Sequence, residues 1–325
     1  MAFTRSSFLS RIVPLVMTVV ACAGSLRADN SQALALLNQG RVDEAAAILN
    51  KTLASQAHDA EAHQLLCRVY YAQDMADSAV HECELATQYD PSSSAHQMWL
   101  GRAYGLKASQ ANMFSAFSVA KKVHTAFERA IEIDPSNIVA MSDLGQFYVN
   151  APGIVGGGVD KAQALAPRLL SRSAVKGHRL LGQIAQKKND QGTAEAEFKS
   201  AIASGKTPEA WVDLAIFYQQ HSQPDKAATA AQTSLENNRA KNPALVDAAS
   251  ILTELKMQPE SAERGLREYL VSPSKTDEAP AFKVHLQLGN LLKQRGDIAG
   301  AKREYEAALA LASKYPPARK AAQGA

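Results

Sequence analysis

Few side chains in this chain have types and spacing that could do chemistry, and they fall into two sets. The first is the run Gly153-Ile154-Val155-Gly156-Gly157-Gly158-Val159, because a glycine-rich loop can turn its backbone N–H groups toward a phosphate. It lacks the Lys-Ser/Thr pair of a nucleotide loop and follows a helical pattern instead of a strand, so a nucleotide site has little support. Two other readings stand: Pro152 stops a helix and the glycines make a tight turn, or Gly156, Gly157 and Gly158 present their N–H groups to a partner. The second set is His63, Cys67 and Cys83. It allows two buried thiols, a Cys67–Cys83 disulfide, or a metal site including His63, although a metal needs a fourth ligand and His81 faces away from Cys83 on a helix. No H-E-x-x-H, G-x-S-x-G or C-x-x-C spacing occurs, so the pattern argues against an enzyme and assigns no catalytic residue, metal or cofactor.

Residues 1–28 read as an export signal, with Arg5 and Arg11 ahead of the short apolar core Ile12 to Gly24. The expected compartment is the periplasm or cell envelope. Val19-Val20-Ala21-Cys22 resembles a relaxed lipidation signal, with ordinary cleavage sites nearby, so membrane attachment is expected only through a lipid on Cys22. Formal charge is +3, but Arg5, Arg11 and Arg27 precede the first acidic residue, and removing the leader leaves 32 basic against 32 acidic side chains. A neutral chain argues against nucleic acid as the main partner.

A repeating pattern organises most of the remaining chain. In residues 282–315, Leu288-Gly289 is followed by Gly296, then Ala301, Tyr305 and Ala308 at helical spacing. The same pattern gives Leu66, Cys67, Tyr70, Ala79, Ala86 and Pro91 in 60–93; Leu181, Gly182, Ala194, Phe198 and Ala201 in 175–208; and Trp211, Leu214, Ala215, Tyr218 and Ala227 in 208–241. Weaker copies lie at 26–59 and 243–276. Two further units, starting near Ala95 and Ile138, are lengthened by insertions near 108–117 and 151–159.

This pattern closely resembles the tetratricopeptide repeat, TPR, a unit of two antiparallel helices whose small residues sit where the helices approach most closely. The resemblance implies an all-α solenoid of about eight helix-turn-helix repeats in a right-handed superhelix, one extended domain over 29–315, with 316–325 as a polar cap. Residues 99–162 also look like a group of exported bacterial TPR proteins and, more loosely, the TPR component of tripartite substrate-binding transporters. The aromatic residues fall at core positions and the carboxylates mostly at outward ones.

In the family, certain positions of each first helix line the concave wall and bind an extended peptide or another protein. Carried over, they give Gln64, Arg68 and Tyr71; Met98, Arg102 and Leu106; Gln146; and Lys176, Arg179, Gln183 and Lys187. Arg68, Arg102, Arg179 and Lys187 could meet a partner's carboxylates. The expected function is therefore a non-enzymatic scaffold that binds another envelope protein or peptide in its groove. The alternative is a small-ligand-binding accessory of a transport system; a closed, mostly apolar pocket beside the central insertions would favour it, and a large open groove the scaffold.

Overall fold

The computed structural model describes residues 28–324, which are helical with short turns and contain no strand. Cys22 and nearly all of the leader lie outside the described residues. Helices follow one another in pairs: α1 (residues 28–38) with α2 (Val42–Ser55), α3 (Ala60–Ala72) with α4 (Ala76–Tyr89), α5 (Ser94–Gln110) with α6 (Met113–Ile133), and α7 (Ile138–Asn150) with α8 (Val159–Arg172). Then come α9 (Ala174–Lys187) with α10 (Gln191–Gly205), α11 (Pro208–Gln220) with α12 (Pro224–Asn237), α13 (Ala244–Glu254) with α14 (Pro259–Leu270), α15 (Ala281–Gln294) with α16 (Ile298–Leu311), and a last helix α17 (Pro316–Gln323).

Local chemistry sets these boundaries. Asp59, Ser93, Asn112, Asn137, Ser173, Asp190, Thr207 and Asp297 each stand before a helix and accept a hydrogen bond from the N–H three residues on, which satisfies a donor the helix cannot. Pro208, Pro224, Pro259 and Pro316 occupy first-turn positions where no N–H is needed. Gly40, Asp74, Asn189, Ser222, Lys256 and Gly296 all take positive φ at the turn from first to second helix, so one backbone reversal recurs along the chain.

The paired helices touch most closely at small residues. In α9 and α15, Gly182 faces Phe198 and Gly289 faces Tyr305; a Cβ on Gly289 would come within 2.5 Å of that ring. In α3 and α4 the same two repeat positions hold Cys67 and Cys83, both fully buried, with Cα atoms 5.3 Å apart and a disulfide between them. Of the three readings left open by the sequence, the bridge is the one present, and it stands where other repeats pack a ring on glycine. His63 is not a metal ligand here: its Nδ1 pairs with Glu82 at 2.6 Å and its Nε2 lies 3.0 Å from the Ala57 carbonyl. The pairing recurs as His178 with Glu197 and His285 with Glu304, each at 2.7 Å, bridging first and second helix at one repeat position.

The insertions take different forms. The extra residues near 108–117 lengthen α5 and α6 and leave only Ala111 and Asn112 between them, because Ala, Gln and Met favour a helix and Asn112 caps its renewal by accepting from Ser115 N–H. The second insertion is a short 3-10 turn (Gly153–Val155) packed beside α6.

One expectation changes more deeply. The solenoid is not extended, because its two ends meet. Leu37, Leu49 and Leu66 share a buried core with Phe282, Ala308, Ala312 and Tyr315, and Gly40 lies so close to Ala281 that a Cβ would come 2.5 Å from its backbone nitrogen. Polar ties follow the same seam: Ser313 N–H donates to Asp43 at 2.7 Å, Lys283 to Asp74 at 2.7 Å, and the Tyr315 hydroxyl to Asp74 at 3.1 Å. The terminal repeats each have an apolar face with no neighbour on the outer side, and covering one with the other removes both from water.

Reduction of the Cys67–Cys83 bond, which closes a loop of 16 residues, should lower unfolding free energy by about 3 kcal/mol while far-UV circular dichroism of the folded protein is unchanged. Equal denaturation midpoints with and without reductant would show that the bond does not form.

Candidate functional site

The concave wall carries charge in an ordered way. On α3, Arg68 makes a two-pronged pair with Asp277, 2.8 Å at each prong, and the two side chains are only 16% and 6% exposed. Asp277 belongs to the turn 271–280 between α14 and α15, which folds inward; the Tyr269 hydroxyl fastens it by donating to the Ala279 carbonyl at 2.8 Å and accepting from Thr276 N–H at 3.1 Å. On α5, Arg102 donates to Asp143 of α7 at 2.7 Å and lies 3.5 Å from Glu278. Both guanidiniums lie over the Trp99 ring, 4.9 and 4.8 Å from its centre, and Tyr71 meets that ring edge-on. Further along, Arg179 of α9 pairs with Asp213 of α11 at 3.0 Å.

Beside these groups lies an open-sided cavity of about 990 Å³, walled by Tyr71, Trp99, Leu106, Phe127, Phe147 and Val155, with Arg102, Asp143, Gln146, Asp277 and Glu278 among its polar groups. Both insertions contribute, Ala116 and Ala120 from lengthened α6 and Pro152 and Val155 from the second. Of the residues expected on the wall, the cavity brings together Tyr71, Arg102, Leu106 and Gln146. Arg68 stands next to it through Asp277. Gln64 and Met98 are buried, Lys176 and Arg179 stand near Asp213, and Gln183 and Lys187 do not line the cavity. A second cavity of about 550 Å³ lies around Trp211, between α10, α11 and α12, and contains none of the expected wall residues.

The arginines are thus engaged by this chain's own carboxylates, a point the sequence pattern missed. One signal was available, since the interval 271–280 exceeds the other turns between repeats. The glycine loop is likewise self-satisfied. The N–H groups of Gly156, Gly157 and Gly158 donate to the carbonyls of Gly153, Pro152 and Tyr148, which leaves none of the three for a phosphate or a partner. Gly156 and Gly158 have φ of +99° and +136°, so the loop needs glycine for its turn.

Burial raises the Asp213 carboxyl to about 6, with Arg179 opposing the rise and Asp247 adding to it. Asp247 is also raised to about 6, first by loss of surrounding water in the concavity and then by Glu278 and Glu209.

Tetratricopeptide repeat models match residues 33–103 and 282–315. The fold is a tetratricopeptide-repeat solenoid. It is similar to TTC0263, a thermophilic TPR protein of Thermus thermophilus, at 18% identity and TM-score 0.46 over 70% of this chain and 99% of that one. It is similar also to yeast Tom70, at 15% identity and TM-score 0.52 over 87% of this chain and 57% of that one. Of the two, the Tom70 likeness carries the fold alone, at this identity. No curated protein matches the chain. The TPR fold is typically a non-enzymatic scaffold for protein interaction, and no helix of the described residues is long and apolar enough to cross a membrane.

Because Asp213 and Asp247 hold their protons to higher pH in the fold than in the unfolded chain, the stability they contribute is full below about pH 4 and is lost as pH rises through about 6. The Asp213→Asn variant should therefore gain on the wild type between pH 4 and 7, by about 1–2 kcal/mol in urea unfolding. A gap that stays constant over that range would contradict the assignment.

Proposed function

We propose that the protein is an exported scaffold that holds an extended segment of another cell-envelope protein against its concave wall, at the cavity between α5, α6, α7 and the turn 271–280. The observation that carries this reading is the cavity itself: its open side admits a chain, its aromatic walls offer area for apolar side chains, and Gln146, Asp143 and Glu278 offer acceptors and donors at fixed points. Regular side-chain spacing along the stacked first helices suits a partner that lies extended across several repeats. Export is supported by the leader pattern of residues 1–28 and by the Cys67–Cys83 bond, since such bonds persist in oxidising compartments.

A photo-crosslinker placed at Leu106, in the cavity, should trap one partner in intact cells, and the same probe at exposed Arg129 on α6 should not. Equal trapping from both positions would move the binding surface off the groove; a small molecule retained in place of any protein would favour the ligand-binding accessory.

A further inference from the structure

We propose that the groove recognises a lysine or arginine of the partner segment, with its aliphatic stem between Tyr71 and Phe147 and its cationic head at Glu278. This deepens the reading above and rests on it. Sequence position alone suggests the opposite polarity, arginines awaiting acidic partners, but each arginine on this wall already has a carboxylate. Arg68 is held by Asp277 on two prongs, Arg102 by Asp143, and Arg179 by Asp213. An acidic segment would have to break the buried Arg68–Asp277 pair, leaving a charge without a partner.

The balance of charge runs the other way. Along the inner wall, three arginines (Arg68, Arg102, Arg179) face five carboxylates (Asp143, Asp213, Asp247, Asp277, Glu278). Adding Lys176 and Glu209, which flank Asp213, and Lys187, which the repeat register puts on the same wall, leaves a surplus of one negative charge. Within reach of the cavity that surplus is concentrated in Glu278: it is 62% exposed and lies 3.5 Å from an Arg102 that Asp143 has already engaged at 2.7 Å. A carboxylate so placed keeps acceptor capacity for a second cation. The surrounding surface suits a long basic side chain, since its methylene stem covers apolar wall and ring faces attract the charged end.

A random peptide library displayed on phage and selected on the purified protein tests this. The expected winners contain Lys or Arg flanked by apolar residues; resynthesised, they should bind about tenfold more weakly to Glu278→Lys, less so to Glu278→Gln, and unchanged to Glu306→Gln on α16. The melting temperature of the Glu278 variants should match the wild type, because the side chain is largely solvated. Winners rich in Asp and Glu, or basic winners indifferent to Glu278, would overturn the inference while leaving the peptide groove in place. A library yielding no winner would overturn the groove reading and this inference with it.

Discussion

The meeting of the first and last repeats is the constraint on which the rest of the molecule depends. A stack of helix pairs has an apolar face at each end, and here the faces of α1 to α3 and α15 to α17 are buried against each other around Leu37, Leu66, Phe282 and Tyr315. An open stack could change its curvature by small increments at every interface. Closure fixes the total, and it delivers the turn 271–280 to the inside, where Asp277 grips Arg68 across 209 residues of sequence. Part of the concave wall is consequently an open-sided cavity beside α5 to α7 that Asp277 and Glu278 of this turn help to line. Stability also changes in kind: local contacts between neighbours dominate an open repeat array, whereas closure couples the ends.

Within each repeat the same few positions carry the packing. The closest approach of the paired helices is filled by glycine on an aromatic ring in α9 and α15, and by a disulfide in α3. A neighbouring position holds His63, His178 or His285, each tied to a glutamate on the second helix. Successive pairs are tied by Tyr104 to Glu84 at 2.6 Å, Tyr148 to Glu128 at 3.1 Å and Tyr218 to Glu195 at 2.8 Å, and burial together with these carboxylates holds the Tyr104 and Tyr148 hydroxyls well above the usual range. Ties of this kind would reduce the ordering cost of holding a segment in the proposed groove.

The sequence made the repeat legible because its determinants are local. Leu288-Gly289, Gly296, Ala301 and Tyr305 need only their own repeat to be understood, and the wall positions Tyr71, Arg102, Leu106 and Gln146 follow from the register. What stayed hidden depends on curvature. Nothing near Arg68 announces Asp277, and nothing near Asp74 announces Lys283 or Tyr315; these partners are chosen by how far the stack bends over eight repeats. The engagement of the arginines was hidden in part for the same reason: the inward turn supplies Asp277 to Arg68 and places Glu278 near Arg102, while Asp143 and Asp213 on neighbouring first helices pair with Arg102 and Arg179. The insertion near 108–117 was located by its excess length but not by its form, because helix-competent residues extend α5 and α6 as readily as they make a loop.

A closed solenoid with a charged, aromatic-walled cavity links repeat register to groove chemistry through one physical cause, the contact between its ends. Gln39 and Val271 border the same cleft across the seam, and both are exposed. Spin labels placed at these two positions, measured by pulsed dipolar spectroscopy in solution, test closure most directly. A closed solenoid predicts one narrow, short distance that widens when Phe282→Ala weakens the shared core; a long, broad distribution in the unaltered protein would show an open superhelix and contradict it.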